Sequence, residues 1–141
     1  MRRLFITVCF WSLAALPMPV LADLVVVANP QSGIAHLSLD DVVNIYLGRY
    51  RRLPSGATAE PIDISDNEMR ARFYRGLVRK SLPEINAYWA RLVFAGKTRP
   101  PLVVESPEAA LRRVVAEPGS IAYLERSQAG RQAKIVFELN D

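Results

Sequence analysis

Five short apolar runs along the chain predict β-strands. The first, residues 24–28, is a β-branched run ended by Asn29-Pro30, which is typical of a buried strand. Residues 60–64, 120–124 and 134–139 are also predicted as strands, and residues 102–104, which follow two prolines, as a shorter one. The strands are too far apart for a chain of hairpins, so other elements must connect most of them.

Between the strands, apolar residues recur at helical spacing, and a serine precedes each helical segment. A serine in this position accepts a hydrogen bond from an unpaired backbone N–H and contributes about 1 kcal/mol. Acidic residues three positions after three of these serines predict capping boxes, and Gly48 and Gly96 are placed to end two of the helices. The four serines are Ser38, Ser65, Ser81 and Ser106, and the first three are those with the acidic partner.

The resulting order is strand, helix, strand, two helices, strand, helix and two strands. Strands that alternate with helices predict an α/β fold, here a single three-layer-like domain with a mixed, mostly parallel sheet flanked by helices. The last two strands suggest an antiparallel edge. No repeat, linker or low-complexity tract interrupts residues 23–141, so we expect one domain there.

The N-terminal residues predict a signal peptide, residues 1–22. Arg2 and Arg3 form a basic start, an apolar run follows from residue 4 to residue 16, and small residues precede a cleavage site after Ala22. The run is short for a membrane span, which favours cleavage over the alternative of an uncleaved anchor. We therefore expect a periplasmic protein. Removal of this segment also removes Cys9, the only cysteine.

Composition then excludes several functions. Without Arg2 and Arg3, the 18 Lys and Arg residues become 16 against 14 Asp and Glu, a net charge near +2. The arginines are spread along the chain, so we expect no nucleic-acid partner. Without a cysteine, neither thiol catalysis nor a thiolate metal site is available.

Candidate catalytic residues are sparse. His36, the single histidine, lies in a loop outside any recognisable nucleophile motif. Asp63, Asp66 and Glu68 are close in sequence and could serve acid–base chemistry or a hard metal, but helix capping explains Asp66 and Glu68 better, with Glu68 as partner of Ser65. We therefore expect no enzyme, no cofactor and no metal.

The turn at Ser65 is the strongest candidate for a binding site. Ser65 directly follows a predicted strand and begins a helix, and ligands prefer the carboxyl edge of such sheets. Unpaired N–H groups and the helix dipole at such a start attract anions. The polar loop after the first strand supplies further candidates, Asn29, Ser32 and Gly33.

An ordered set of segments resembles the phosphate-type ABC-transporter substrate-binding proteins, within the periplasmic-binding-protein-like group. The resemblance implies an exported domain built like one lobe of a two-lobed binding protein, with Ser65 and Asn67 near the phosphate site. The segments are Val25-Val26-Val27-Ala28-Asn29, residues 37–48, Pro61-Ile62-Asp63-Ile64, Arg72-Phe73, Tyr88-Trp89, Phe94-Ala95-Gly96 and residues 118–123.

The chain departs from this family in two ways. Members are about twice as long and close two lobes over phosphate, and their phosphate-binding turn carries an arginine and a Ser-Gly-Thr run. Here Asp66 and Glu68 occupy that turn. Two unit charges about 5 Å apart repel by about 3 kcal/mol at an effective dielectric of about 20, against the ~0.3–1 kcal/mol that a helix end offers an anion. A tight site would need Arg49, Arg51, Arg52 or Arg70 over the turn.

Two function hypotheses follow from these observations. The first is a solute-binding-like protein that binds phosphate or another small oxyanion weakly. The second is a periplasmic interaction module without a small-molecule ligand, which docks on a membrane sensor, transporter or porin, with the Tyr50-Arg51-Arg52 loop as its contact. The sequence leaves the oligomeric state open.

Overall fold

A computed structural model of the chain describes residues 16–17 and 23–140. The predicted signal peptide, residues 1–22, and with it Cys9, lies outside the described residues except for Leu16 and Pro17. Within the described residues, no helix combines the length and the apolar character that crossing a membrane requires.

Strands and helices follow one another in the predicted order. A single 3₁₀ turn, residues 126–128, separates the last two strands. The elements are β1 Leu24–Ala28, α1 Leu39–Tyr46, β2 Glu60–Ile64, α2 Asn67–Val78, α3 Leu82–Phe94, β3 Leu102–Val104, α4 Pro107–Ala116, β4 Ser120–Glu125 and β5 Lys134–Glu138.

The strands form one open sheet in the order β3-β2-β4-β1-β5. β2 pairs in parallel with β3 and β4, whereas β1 pairs antiparallel with β4 and β5. Four strands therefore share one direction and β1 alone opposes them. The predicted α/β fold with a mixed, mostly parallel sheet is confirmed.

The expectation that the last two strands form an antiparallel edge pair is wrong, because β1 lies between β4 and β5. The burial of the strands gives the reason. All five residues of β1 are buried, so this strand needs a neighbour on each side. In β5 only the central residue, Val136, is buried and both end residues are exposed, which suits an edge strand.

Aromatic side chains fill the core between the sheet and the helices. The ring of Phe73 on α2 stacks on that of Tyr123 on β4, with centroids 4.0 Å apart and planes inclined by 11°. Tyr46 on α1 meets Phe73 edge-to-face at 4.8 Å. Because these rings come from three different elements, their packing fixes α1 and α2 against the sheet.

Most of the predicted helix ends are confirmed. Ser38 and Asp41, and likewise Ser81 and Glu84, form reciprocal capping boxes, and the Ser106 hydroxyl accepts a hydrogen bond from the N–H of Ala109. Gly48 follows α1 with φ +73°, the left-handed conformation that ends a helix.

Candidate functional site

The sheet separates the sequence-predicted site residues into two groups. Ala28 pairs with Ile121, and Pro61 pairs with the same residue, so the loop after β1 lies where β2 and β4 begin. We call this the amino edge. Ser65 follows the last residue of β2, at the opposite, carboxyl edge. At about 3.3 Å per residue, β2 holds the two edges about 13 Å apart. The structure does not bring the two groups together.

At the amino edge, Asn29 joins the loop to the end of α4. Its amide nitrogen lies 3.0 Å from the carbonyl oxygens of both Val114 and Val115, and its Oδ1 accepts from the N–H of Gln31 at 2.8 Å. Both functional groups of this buried side chain are therefore engaged in the fold.

The other two loop candidates differ in exposure. Ser32 is buried, and its hydroxyl accepts a 3.3 Å hydrogen bond from the N–H of Ile34. Gly33 is exposed and adopts φ +76°, which explains a glycine in this position. Any ligand role for Asn29, Ser32 and Gly33 stays a prediction.

At the carboxyl edge, the N-cap of α2 is Asp66 and not Ser65, so the predicted Ser65–Glu68 capping box is wrong. The Oδ1 atom of Asp66 accepts from the N–H groups of Glu68 and Met69 at 3.0 and 3.1 Å. The N–H of Ser65 instead bonds to the carbonyl of Val104, and its hydroxyl donates to the carbonyl of Glu105. Ser65 thus continues the sheet pairing, which leaves the capping position to the next residue.

This edge carries its own negative charge. The carboxylate of Asp66 satisfies two of the N–H groups that an anion would use. Among the described residues, no side chain of the four arginines considered above is hydrogen-bonded to the turn. Arg70 bonds to Asp63 and Asn86, while Arg49, Arg51 and Arg52 bond to Asn44, Lys97 and Gly56 respectively. Ser65 and Asn67 are exposed here, and their ligand role stays a prediction.

Asp63 has a role that the sequence analysis missed. Its side chain is buried on β2, and its Oδ2 lies 2.8 Å from Nε of Arg70 and 3.2 Å from the hydroxyl of Tyr74. Its Oδ1 accepts from the hydroxyl of Tyr123 and from the N–H of Ile64. The sequence signal was a carboxylate between two isoleucines of a buried strand, with an arginine on the following helix.

Burial raises the pKa of the Tyr123 hydroxyl well above its usual range, and the nearby charge of Asp63 raises it further. The same two causes raise the pKa of Tyr74. For Arg70, burial works to lower the pKa, but hydrogen bonding and charge attraction to Asp63 outweigh it and the pKa rises. This network keeps the tyrosines neutral and Arg70 charged, which is a structural role.

A basic groove runs along the amino edge, with a volume of about 990 Å³. Arg51, Lys97 and Arg99 are exposed along it, and one Nη of Arg51 donates to the carbonyl of Lys97 at 2.8 Å. Of the two acidic residues in its lining, Glu60 is engaged by Arg113 at 2.6 Å, and Glu117 is the other. Within residues 23–140, Lys97 and Arg99 have no carboxylate within 4.0 Å.

This groove was predicted only in part. The sequence analysis singled out Arg51 and Arg52, but the guanidinium of Arg52 donates to the carbonyl of Gly56 within its own loop. Lys97 and Arg99 were missed. They lie 46 and 48 positions after Arg51, and only the fold brings α3 and its following segment beside that loop.

Neither metal nor histidine chemistry is assembled in the part of the chain that the structure describes. No three residues among its His, Cys, Asp and Glu side chains are grouped closely enough to hold a metal ion. His36 is exposed in the loop between β1 and α1.

Three solved structures illustrate what this fold is similar to. An ABC-type phosphate transport receptor from Vibrio cholerae aligns with a TM-score of 0.64 at 14% identity, over 82% of this chain and 45% of that one. A phosphate-bound protein from Clostridium perfringens, described as a phosphate ABC transporter substrate-binding protein, aligns with a TM-score of 0.64 at 13% identity, over 82% of this chain and 44% of that one. PstS from Borrelia burgdorferi aligns with a TM-score of 0.63 at 16% identity, over 82% of this chain and 47% of that one.

The chain therefore spans a little under half the length of these proteins. No protein-family model matches the sequence, and no curated protein matches it significantly. At identities of 13–16%, the likeness concerns the fold. The resemblance to phosphate substrate-binding proteins drawn from the sequence is confirmed at this level: the chain has the fold found in part of such proteins.

Proposed function

We propose that this protein is an exported, single-lobe solute-binding-like protein that binds phosphate or another small oxyanion weakly in the basic groove. The observation that carries the proposal is the grouping of Arg51, Lys97 and Arg99 on one groove of a fold shared with phosphate-binding proteins. The signal peptide, with cleavage after Ala22, and a periplasmic location belong to the same proposal, as does a transporter permease as partner.

Weak binding follows from exposure. All three cationic side chains are solvent-exposed, and an exposed ion pair contributes about 0–1 kcal/mol. Three such contacts give at most about 3 kcal/mol, which corresponds to a dissociation constant of about 6 mM or weaker. Two-lobed proteins exclude water by closing over their ligand, whereas the three cations of this groove face solvent.

The groove is favoured over the sequence-predicted positions for electrostatic reasons. Ser65 and Asn67 lie beside Asp66 and Glu68, and the side chains of Asn29 and Ser32 are already hydrogen-bonded within the fold. An anion at the carboxyl edge would displace or oppose the capping carboxylate of Asp66. Ser65 and Asn67 are therefore the second choice, and Asn29, Ser32 and Gly33 the third.

Isothermal titration of residues 23–141 with phosphate tests the proposal. Arg51→Glu combined with Lys97→Glu should abolish the heat of binding. Arg112→Glu combined with Arg131→Glu changes the net charge equally but alters exposed arginines outside the groove lining, and it should retain binding. Loss of binding in both double variants would mean that net charge alone is responsible, and loss only in Asn67→Asp would move the site to the carboxyl edge.

A specific observation supports docking on an envelope membrane protein as a second candidate function. Phe94, at the end of α3, is 96% exposed, and Val103 on β3 is 57% exposed. Among the strands that the structure describes, β3 is an edge strand and pairs with β2 alone. Exposed apolar groups beside an open sheet edge are a common feature of interaction surfaces.

Cross-linking in envelope extracts tests this second candidate. Phe94→Ser should reduce recovery of a membrane partner if this surface docks, while Arg51→Glu with Arg52→Glu should reduce it if the Tyr50-Arg51-Arg52 loop docks. Equal recovery of the partner with the unaltered protein and with both variants would contradict docking through either surface. We propose no catalytic role, no cofactor and no nucleic-acid partner for the chain.

A further inference from the structure

A buried hydrogen-bond donor on α3 lacks an acceptor. Trp89 is only 6% exposed, and its Nε1 atom has no hydrogen-bond partner among the described residues. A buried indole N–H is usually paired, because an unpaired buried donor destabilises the fold. An acceptor supplied by a ligand would satisfy this N–H.

Trp89 is shared between two concave regions. It lines the basic groove, and it also lines a hollow of about 340 Å³ between α3 and β3. Pro100 and Pro101 line both regions as well, so the groove and the hollow adjoin at these three residues. The indole packs closely against Gly48, because a Cβ added to Gly48 would lie 2.7 Å from Cη2 of Trp89.

The hollow offers apolar walls and hydrogen-bond donors. Val93 and Val103 contribute to its walls together with the two prolines. The Oδ1 atom of Asn86 accepts from Arg70 at 3.0 Å, which leaves the amide N–H₂ group of Asn86 available as a donor. Asp63, the acidic residue of the lining, is already engaged by Arg70 at 2.8 Å.

These features describe a ligand larger than a bare oxyanion. The cations of the basic groove suit a negatively charged group, and the indole, proline and valine surfaces suit an apolar ring or chain. An inorganic anion would leave the apolar walls of the hollow in water. An organic anion uses both regions, and an oxygen of it can accept from the indole.

We propose that the basic groove and the Trp89 hollow form one site for an organic anion, a phosphate monoester or a carboxylic acid with an apolar body, whose oxygen accepts a hydrogen bond from Nε1 of Trp89. This inference rests on the proposed function, because the anionic group occupies the basic groove. It goes further in assigning the ligand class and in placing its apolar part against Trp89, Pro100 and Pro101.

The chain carries its own reporter for this site. The sequence has two tryptophans, Trp11 and Trp89, so residues 23–141 contain Trp89 alone. All five strands, all four helices and the buried core of the described structure lie within residues 23–140, so this segment carries the fold. Its tryptophan fluorescence therefore reports on Trp89.

Phenyl phosphate and inorganic phosphate are the matched probes. We expect phenyl phosphate to shift the Trp89 emission saturably and, by calorimetry, to bind at least 10-fold more tightly than phosphate. Trp89→Phe should weaken phenyl phosphate binding about 5- to 10-fold and leave phosphate binding unchanged. Val93→Asp changes a half-exposed residue of the hollow and keeps Trp89 as the reporter, and it should weaken the binding of phenyl phosphate. The control Val115→Asp, on α4, should leave the binding of phenyl phosphate unchanged.

The outcomes separate the two proposals. If phosphate binds and Arg51→Glu with Lys97→Glu abolishes it, but phenyl phosphate binds no more tightly and leaves the emission unchanged, the organic-anion inference is wrong and the proposed function stands. If phenyl phosphate alone binds, the inference stands and bare phosphate is excluded as the ligand. If neither binds, both are wrong.

Discussion

The Nε atom of Arg70 lies 2.8 Å from the Oδ2 atom of Asp63, which ties α2 to the carboxyl end of β2. The carboxylate is buried, and two tyrosine hydroxyls, from Tyr74 and Tyr123, complete its hydrogen bonds. A buried charge is tolerated only when it is paired and hydrogen-bonded. This network fixes the first turns of α2, and with them the position of the carboxyl edge, without using Asp63 for ligand chemistry.

Replacement of Asp63 by Asn should destabilise the fold by about 3 kcal/mol, because it leaves the partly buried Arg70 guanidinium without its counter-charge. Urea unfolding followed by circular dichroism measures this free energy. The control is Arg126→Gln, which breaks the exposed pair with Glu138 and should cost less than about 1 kcal/mol. Equal costs for the two variants would contradict the structural role of Asp63.

Asp66→Ala should cost about 1 kcal/mol of unfolding free energy, because two N–H groups at the start of α2 lose their acceptor. Ser65→Ala removes one exposed hydroxyl donor and should cost less than about 0.5 kcal/mol. Urea unfolding of both variants checks the assignment of the cap. The opposite ranking would restore Ser65 as the capping residue.

The protein should lose stability above pH 10. Burial, followed by neighbouring charges, raises the pKa values of Tyr46, Tyr74 and Tyr123 above the ordinary value of 10.0. When the pKa of a group is higher in the folded state than in the unfolded state, the unfolded state loses the proton at a lower pH. The contribution of the group to stability is therefore complete below the unfolded-state pKa and falls as the pH rises above it. Three such groups can lower the unfolding free energy by up to about 4 kcal/mol per pH unit.

Absorbance at 295 nm and circular dichroism, recorded together across pH 9–12, test this dependence. Ionisation of the three tyrosines should coincide with loss of helical signal, because each hydroxyl ionises only when the core opens. Ionisation of all five tyrosines of the chain with the helical signal intact would contradict the packing described here.

Local patterns predicted the elements well. Ser38, Ser81 and Ser106 cap the helices that follow them, and Gly48 ends α1, because caps depend on residues three or four apart. The Ser65 cap failed for a non-local reason: the backbone of Ser65 pairs with Val104 on β3. A strand neighbour 39 positions away cannot be recognised from a four-residue motif.

The candidate site was less accessible to sequence reasoning. Asn29 and Ser65 both follow strands, yet β1 runs against β2, so the two loops lie at opposite edges. Strand direction is a property of the whole sheet. The basic groove likewise needs α3 to bring Lys97 beside Arg51, a contact that charge patterning along the chain does not reveal.

The most direct measurement of the central claim is a phosphate titration of ¹⁵N-labelled residues 23–141, followed by amide chemical shifts. Binding in the basic groove predicts saturable shifts at Arg51, Lys97 and Arg99, with the amides of Ser65 and Asn67 unmoved. Shifts confined to Ser65 and Asn67, or no shifts up to about 100 mM phosphate (more than ten times the dissociation constant of about 6 mM that three exposed cations give at about 1 kcal/mol each), would contradict the account.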